Sequence, residues 1–499
     1  MAEADESEGS PELVDDRLIA NRREKADRLR AAGIDPYPAR FERDSMAADV
    51  VASYRDDDPR TVRIGGRVVG GIRRMGRSTF MHLLDGSGRV QAYFKRDVLG
   101  PDQYELLDTV DVGDFIGVAG SPFRTRSGEV TVEATEFAML SKSLRPLPEK
   151  WHGLQDVEKR YRQRYLDLIS NPEVAQLFRI RSKIVHEVRG FLVGQDFIEV
   201  ETPVLQSVPG GGAARPFETH SNALDRTLSL RIALELYLKR CIIGGLERVF
   251  EIGRIFRNEG VSHKHNPEFT MLEAYQSFAD YETIMQLTEN MVSAVAISVN
   301  GSPRIVTRGQ EVDLSPPWRR RRLRDAIYEE SGVDYDEHPD LASLAAASET
   351  AGLKVAPSWG RGKIIDELLT MFVEPKLIDP VFLTDYPVEL SPLAKRRTDR
   401  TDVVERFEAF CGGFELANAF SELNDPVDQR ERFLEQVRLK QAGDTEAQAF
   451  DAEFLEALEH GMPPTGGIGM GIDRLTMLLT GNENIRDVIL FPQLRTIQE

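Results

Sequence analysis

Two neighbouring segments of the chain concentrate charged and aromatic residues at the alternating spacing of a β-hairpin. The first, RIFRNE, carries Arg257 and Glu259, and the second, EFTMLEAY, carries Phe269, Glu273 and Tyr275. Side chains two apart along a strand share one face, so pairing the segments gathers these five on a single surface. An arginine, two carboxylates and two aromatic rings make a poor core but a good receptor for a planar ring, a phosphate and an amine. The alternative is a solvent-facing hairpin with ordinary cross-strand ion pairs.

Two short segments carry further polar groups beside this hairpin. The loop between the two strands, GVSHKHNP, contains His265, and the segment GMGIDRL at 469–475 places Arg474 at the start of a helix. Glycines let a backbone pass close to a ligand, and a guanidinium can then be presented to that ligand. Glycines that serve packing alone are the alternative.

A run of acidic residues lies between these segments. RFEAFCGGFELANAFSELNDP carries Glu408, Glu415 and Glu422, and Asn418 shares a strand face with Glu422. Carboxylates suit hard cations or a cationic substrate, although a charged surface is the competing interpretation. Glu415 is out of phase with Asn418 and Glu422, so it reaches their face only if a β-bulge intervenes.

The elements that must position these groups change along the chain. Residues 61–140 hold short β-branched and aromatic runs separated by glycine-rich turns such as DGSGR and TRSGE, and they predict a small five-stranded barrel of the oligonucleotide-binding (OB) type. From about residue 172 onward, helical patterns alternate with hairpin-linked strands, which predicts an α+β domain with an antiparallel sheet. The expected regions are an acidic tail with a helical extension (1–58), the barrel (59–143), a linker (144–171) and the α+β domain (172–499) with an insertion near 301–380.

The helical extension is amphipathic. Leu18, Arg22, Lys25 and Leu29 recur at a helical period, and Gly33 ends the pattern. Its charged face is interpreted either as a solvated surface or as a basic helix that touches RNA.

Composition narrows the class of protein. The 499 residues carry a net charge of −19, which excludes a polybasic nucleic-acid coat, although the barrel region alone is slightly positive. Two cysteines, Cys241 and Cys411, exclude a disulfide scaffold. There is no apolar run of the ~20 residues that a membrane span needs, and the acidic N-terminus lacks the order of a secretory signal. We therefore expect a cytoplasmic protein without membrane attachment.

Several long motifs, agreeing in order, resemble the class II aminoacyl-tRNA synthetases. They are GFLVGQDFIEVETPVL, FRNEG followed by HNPEFTMLE, and GMGIDRL, and the chain has no HIGH or KMSKS pair. THSNALD, RIALELYLKRCIIGG, YPVELSPLAKR and ELANAFSELNDP are similar to the lysyl-tRNA synthetases in particular. The resemblance runs from about residue 60 to 496, apart from the divergent stretch 301–380. It implies an α+β class II domain, an antiparallel sheet flanked by helices, preceded by an all-β OB-fold anticodon-binding barrel.

The resemblance also implies a role for each matching residue. Phe269 would stack under adenine, Glu259 would accept from the exocyclic amine, and His265 and Arg474 would hold the γ-phosphate. Arg257 would bridge the α-phosphate and the lysine carboxylate. The implied sets are ATP-binding Arg257, Glu259, His265, Phe269 and Arg474 (catalytic: Arg257, His265 and Arg474); lysine-binding Gly211, Glu235, Arg257, Glu273, Tyr275, Asn418 and Glu422; Mg²⁺-binding Glu408 and Glu415; and anticodon-reading Phe80, Gln91 and Glu129.

The implied activity is ATP-dependent attachment of L-lysine to tRNA(Lys) through a lysyl-adenylate, by a Mg²⁺-dependent homodimer that pairs through the first motif. Three positions depart from the usual lysine-enzyme pattern: Ser229 replaces Tyr, Leu234 replaces Pro, and Gly212 replaces the Ala of Gly-Gly-Ala. A specialised paralogue with altered amino-acid or inhibitor specificity therefore stays an alternative. So do an aspartate or asparagine enzyme, a ligase for a protein or small molecule, and a catalytically inactive RNA-binding protein.

Overall fold

The computed structural model describes residues 11–56, 60–148, 154–441, 443 and 447–495. The chain divides into two compact units, Met1–Asp156 and Val157–Glu499. The acidic tail expected at residues 1–12 lies mostly outside the described residues. Within the described part of the chain, no helix is long and apolar enough to cross a membrane.

The first unit is built on a closed five-stranded barrel, as the alternating runs predict. Its strand order is β1-β2-β3-β5-β4, and β3 runs parallel to β5. Val68, Met81, Phe94 and Val132 fill the interior and are almost fully buried. The elements are α1 (Pro11–Ala31), α2 (Ala47–Ala52), β1 (Val62–Met75), β2 (Ser78–Leu84), β3 (Arg89–Lys95), α3 (Arg96–Leu99), α4 (Pro101–Leu106), the 3-10 turn Leu107–Thr109, β4 (Phe115–Arg124) and β5 (Val130–Ser141).

Helix α1 packs against the barrel of its own unit. Leu29 is fully buried in the barrel core cluster. Arg22 donates to the carbonyl oxygens of Ser143 (2.9 Å) and Val112 (3.1 Å), and Lys25 pairs with Asp111 at 2.6 Å. Arg22 and Lys25 therefore bind other groups of the same unit. At these two positions the helix is neither a solvated face nor a free basic surface for RNA, contrary to both interpretations of the sequence.

The second unit contains thirteen strands and twelve α-helices in its described residues, besides the π-helix Leu369–Val373 and the 3-10 helices Glu374–Lys376 and Val388–Leu390. The strands are β6 (Ile198–Glu199), β7 (Leu205–Gln206), β8 (Glu218–Ser221), β9 (Arg226–Leu230), β10 (Arg248–Phe256), β11 (Glu268–Ser277), β12 (Arg304–Thr307), β13 (Gln310–Asp313), β14 (Arg319–Arg322), β15 (Val381–Pro387), β16 (Val403–Cys411), β17 (Phe414–Ser421) and β18 (Thr465–Gly471). The helices are α5 (Val157–Arg162), α6 (Arg164–Ser170), α7 (Pro172–Val193), α8 (Glu235–Ile243), α9 (Tyr281–Asn300), α10 (Leu323–Ser331), α11 (Leu341–Thr350), α12 (Arg361–Leu368), α13 (Pro426–Gln441), α14 (Ala452–Glu459), α15 (Ile472–Thr480) and α16 (Ile485–Val488).

The main sheet has the order β14-β15-β16-β17-β18-β11-β10-β6. The six central strands are antiparallel, as predicted, whereas the edge strands β14 and β6 run parallel to their neighbours, so the sheet is mixed. Helices α7, α9 and α15 cover one face through a core that includes Val188, Val292 and Leu475. That coverage leaves the opposite face of β11, β17 and β18 available for a site.

Two stretches differ in detail from the sequence expectation. Residues 301–380 contain β12, β13, β14 and α10–α12, and much of the stretch, including Leu323 and Leu344, joins a hydrophobic cluster that it shares with β15 and β16. The segment expected as a linker contains α5 and α6. The fully buried Arg164 pairs with Asp167 at 2.6 Å and donates to the carbonyl oxygen of Leu490. Residues 157–170 are therefore anchored in the second unit and are not linker.

Candidate active site

A cavity of about 390 Å³ opens on the uncovered face of the main sheet. Every residue that the sequence implied for ATP, lysine or metal binding lines it: Gly211, Glu235, Arg257, Glu259, His265, Phe269, Glu273, Tyr275, Glu408, Glu415, Asn418, Glu422 and Arg474. A wider cleft of about 1350 Å³ adjoins it and shares Gly211, Glu235, Glu408 and Asn418. The structure thus brings the implied residues of the second unit together.

Strands β11 and β18 shape the cavity by pairing large residues with glycines. Met271, Glu273 and Tyr275 follow one another on the cavity face of β11, opposite Gly471, Gly469 and Gly467 of β18. A Cβ atom at Gly467 would lie 2.1 Å from Glu422 Oε1 and 2.4 Å from Tyr275 Cε1. The glycine at this position therefore leaves room for both side chains.

A bulge on β17 brings Glu415 into the site. Ala409 of β16 lies opposite Ala417, but the next residue, Phe410, lies opposite Glu415, so Leu416 is the extra residue. This shift moves Glu415 onto the cavity face. The bulge that the sequence required for Glu415 is present.

Cationic groups define one end of the cavity. The Arg257 guanidinium lies 5.4 Å from the centroid of the Phe269 ring and donates to the carbonyl oxygen of Ile232 at 3.3 Å. Arg474 pairs with Glu415 at 3.0 Å and approaches His265 Nε2 at 3.3 Å. Desolvation, reinforced by the nearby Arg474, lowers the pKa of His265 to about 4, so the imidazole is neutral at pH 7. This end suits phosphates and an aromatic ring.

Three carboxylates define the opposite end. Glu235, Glu273 and Glu422 are each less than 10% exposed. Glu273 accepts from the Leu234 amide at 2.8 Å and from the Tyr275 hydroxyl at 2.9 Å. Burial raises the pKa of Glu273 to about 8, and it also raises the pKa values of Glu235 and Glu422. Glu422 forms an ion pair with the buried Lys239, and no other donor reaches its carboxylate among the described residues.

The two acids implied for the metal have different partners. Glu408 accepts from Arg406 at 2.6 Å and from the Tyr386 hydroxyl at 2.9 Å, and burial raises its pKa to about 7. The nearby Glu415 carboxylate adds to that shift. No group of three or more potential metal-ligating side chains occurs within the described ranges. Two repelling carboxylates with oxygen donors fit a magnesium ion that takes its other ligands from phosphates and water.

Sequence reasoning missed three of these supporting residues. Lys239, Arg406 and Tyr386 hold Glu422, Glu408 and Asn418 through direct contacts. Arg406 precedes Glu408 by two residues, and this strand spacing is the signal that could have found it. Lys239 follows Glu235 by four residues on α8, a spacing that is usually a surface ion pair.

Of the three departures from the family pattern, Leu234 directly contacts the amine end of the cavity. Leu234 precedes α8, and its amide donates to Glu273 as described above. A Cβ atom at Gly212 would come no closer than 3.5 Å to another side chain, so alanine would fit there. Ser229 lies in β9, opposite Gln206 and Glu218, and is absent from the cavity lining.

The residues implied for the anticodon share one outer surface of the barrel in the first unit. Phe80 is half-buried and stacks on Tyr93 with ring centroids 4.5 Å apart, so it is not a core residue. Glu129 accepts from Gln91 Nε2 at 2.9 Å and contacts His82 Nε2 at 2.8 Å. Gln91 is itself buried and also accepts from a threonine hydroxyl. The surface combines a stacking platform with a carboxylate that two side chains hold in place.

The mixed sheet with its antiparallel centre and its cavity, together with the barrel of the first unit, defines the catalytic and anticodon-binding parts of a class II aminoacyl-tRNA synthetase. Residues 156–495 match the family model of class II tRNA synthetases (D, K and N), and residues 62–140 match that of the OB-fold nucleic acid binding domain. The chain is 54% identical over 480 residues to the lysine–tRNA ligase of Pelotomaculum thermopropionicum, covering 96% of this chain and 95% of that protein. It is 53% identical over 484 residues to that of Syntrophomonas wolfei (97% and 98% covered) and 52% over 482 residues to that of Moorella thermoacetica (97% and 98%). The chain belongs to the lysine–tRNA ligase family of class II tRNA synthetases.

Proposed function

We propose that this protein joins L-lysine to tRNA(Lys) at the expense of ATP, through a lysyl-adenylate, and so supplies translation. The observation that carries the amino-acid assignment is Glu422. Its carboxylate is 1% exposed and lines the cavity, where the buried Lys239 ammonium group is its ionic partner. Because Lys239 also pairs with Glu235, the buried acids at this end outnumber the cation, and they favour a substrate that brings an ammonium group.

In the first step, the lysine carboxylate attacks the α-phosphorus of ATP and pyrophosphate leaves. Arg257 holds the carboxylate and the α-phosphate together and neutralises the charge that develops at phosphorus. Phe269 stacks on adenine, Glu259 accepts from its amine, and Arg474 with neutral His265 binds the γ-phosphate. No side chain of this set acts as a nucleophile.

The amino acid is oriented by the opposite charges at the two ends of the cavity. The α-ammonium group meets Glu235, Glu273 and the backbone at Gly211, while Asn418 assists at the carboxylate. The ε-ammonium group meets Glu422 beside Tyr275. We also propose that Glu408 and Glu415 hold Mg²⁺. When bound, this ion supplies charge neutralisation at the phosphate oxygens.

In the second step, the terminal ribose hydroxyl of tRNA takes the lysyl group and AMP leaves. Phe80 would stack on an anticodon base, while Gln91 fixes Glu129 for hydrogen bonds to base edges. The wider cleft beside the active site offers the acceptor end a path to the adenylate.

We further propose a cytoplasmic homodimer. The segment from α7 to β7 leaves Val193, Ile198, Val204 and Leu205 exposed, each by 40% or more. These apolar side chains cluster in the first class II motif, and burying them against a second copy would remove apolar surface from water. The cytoplasmic location follows from the proposed role in translation.

The experiment that tests the function is ATP–pyrophosphate exchange with a panel of amino acids. We expect exchange that depends on lysine and Mg²⁺. Arg257→Ala should lower the rate by at least ~100-fold through lost charge stabilisation. Equal exchange with aspartate or asparagine would overturn the lysine assignment, and no exchange with any amino acid would favour an inactive RNA-binding protein.

A further inference from the structure

Lys239 is a fully buried cation directly behind the carboxylate end of the cavity. Its ammonium group contacts Glu235 Oε1 at 2.6 Å and also pairs with Glu422. The Phe420 ring centroid lies 5.4 Å from the same nitrogen. Lys239 does not line the cavity itself, so it is a fixed charge of the protein that substrate does not displace.

The charges around this end can be counted from the contacts. Glu235, Glu273 and Glu422 can carry three negative charges, and Lys239 supplies one positive charge. Arg406 also faces Glu235, but it is paired with Glu408 at 2.6 Å. Two negative charges therefore remain.

Lysine brings two ammonium groups, and its carboxylate is matched by Arg257 at the other end. Burial raises the pKa values of all three carboxyl groups, with the neighbouring carboxylates adding to the shift at Glu273 and Glu422. These shifts favour protons on the carboxyl groups over unpaired buried charges. A substrate with two ammonium groups replaces those protons.

We propose that Lys239 is a specificity-determining residue of this pocket: by cancelling one of three buried carboxylate charges, it leaves a site that an amino acid with two ammonium groups neutralises. The proposal rests on the proposed lysine activation. Lys239 acts through Glu235 and Glu422 and does not itself touch the substrate, so it is a positioning residue. Without its charge, one of the two carboxyl groups would retain a proton and bind an ammonium group poorly.

The test compares lysine with norleucine, which has the same chain without the ε-ammonium group. Exchange kinetics give the KM for lysine and the inhibition constant for norleucine in the parent and in Lys239→Met. We expect the lysine KM to rise at least tenfold while the norleucine constant changes less than threefold. Leu238→Met, a substitution at a fully buried neighbour on α8, is the matched control and should leave both constants unchanged.

The pH profile gives a second reading. In Lys239→Met the fall of the lysine KM with rising pH should extend to higher pH, because loss of the ammonium group makes Glu235 and Glu422 harder to ionise. Glu235, Glu273, Glu422, Tyr275 and Arg406 are the titratable and charged groups that surround this end of the pocket. A merely structural role would raise both constants by the same factor and leave the pH range of the KM fall unchanged, and that outcome overturns the proposal.

Two further measurements cover other failures. If Lys239→Met does not fold, Lys239→Gln keeps a donor without the charge, and the same change in the ratio of the two constants is expected. In the parent protein, norleucine inhibition should strengthen as pH falls, while lysine binding should weaken. If both ligands show the same pH trend, the pocket does not require two ammonium groups and the proposal is overturned. Absence of lysine-dependent exchange in the parent would instead overturn the proposed function.

Discussion

Gly467→Ala tests the assignment of the ε-ammonium site. Gly467 does not have a left-handed φ, so alanine meets no backbone strain there. Its Cβ atom would nevertheless lie 2.1 Å from Glu422 Oε1 and 2.4 Å from Tyr275 Cε1. Atoms in contact pack at ~3.5–4.0 Å, so both side chains must move by about 1 Å or more. The Glu422 carboxylate is then displaced from the position in which it would bind the ε-ammonium group.

The magnitude follows from the interaction that is lost. A hydrogen bond to a charged group contributes ~1.5–3 kcal/mol, which corresponds to a rise of roughly 10- to 150-fold in the lysine KM. The ATP KM should stay within threefold, because Phe269 and Arg474 lie at the other end of the cavity. Overpacking also lowers the free energy of unfolding by ~1–3 kcal/mol.

The assay is pyrophosphate exchange with lysine and ATP varied in turn, alongside thermal unfolding. Gly212→Ala is the matched control, since its Cβ atom would come no closer than 3.5 Å to another side chain of the same cavity. We expect that control to keep the lysine KM within threefold of the parent. A folded Gly467→Ala protein with an unchanged lysine KM would refute the placement of the ε-ammonium group beside Glu422.

Three more outcomes are expected. The Glu273 carboxyl has a pKa of about 8 and must ionise to meet the α-ammonium group, so the lysine KM should fall by up to ~tenfold per unit from pH 6 to 8. Glu273→Gln should flatten that profile; an identical profile would assign the titration elsewhere. Phe80→Ala should raise the tRNA KM by the loss of one stacked base, ~1–3 kcal/mol, with exchange unchanged; equal losses in both assays would mean that the barrel unfolds. Leu234→Pro removes the amide that donates to Glu273 at 2.8 Å, at a cost of ~1–3 kcal/mol, so the lysine KM should rise. A KM and an inhibition by a non-hydrolysable lysyl-adenylate analogue within twofold of the parent would show that the departure is neutral.

Strand periodicity predicted the part of the site that lies on β11 and β17. Side chains two apart on a strand share a face, so Phe269, Glu273 and Tyr275 were expected together, and the structure places them in one cavity. Glu415 required a bulge, and the sequence could state that requirement but could not locate the extra residue. Local patterning fixes faces, whereas register shifts depend on how two strands meet.

The buried cation Lys239 could not be predicted from the sequence for a different reason. Glu235 and Lys239 stand four apart on a helix, and this spacing looks the same whether the pair is exposed or fully buried. Burial is decided by the elements that cover α8, and those elements are distant in sequence. The parallel edge strands β6 and β14 were missed similarly, because their short runs carry no signal of direction.

The two ends of the cavity carry side chains of opposite charge type, and this contrast can orient a bound amino acid. Arg257 and Arg474 concentrate positive charge at one end, where low pKa keeps His265 neutral and able to accept a hydrogen bond. Glu273 and Glu422 place carboxyl groups at the other end, where burial raises their pKa values and an ammonium group favours their ionised form. We therefore propose that an amino acid with an ammonium side chain binds with its carboxylate toward the phosphates. In the reverse orientation like charges would face each other at both ends, in a region where burial strengthens their repulsion.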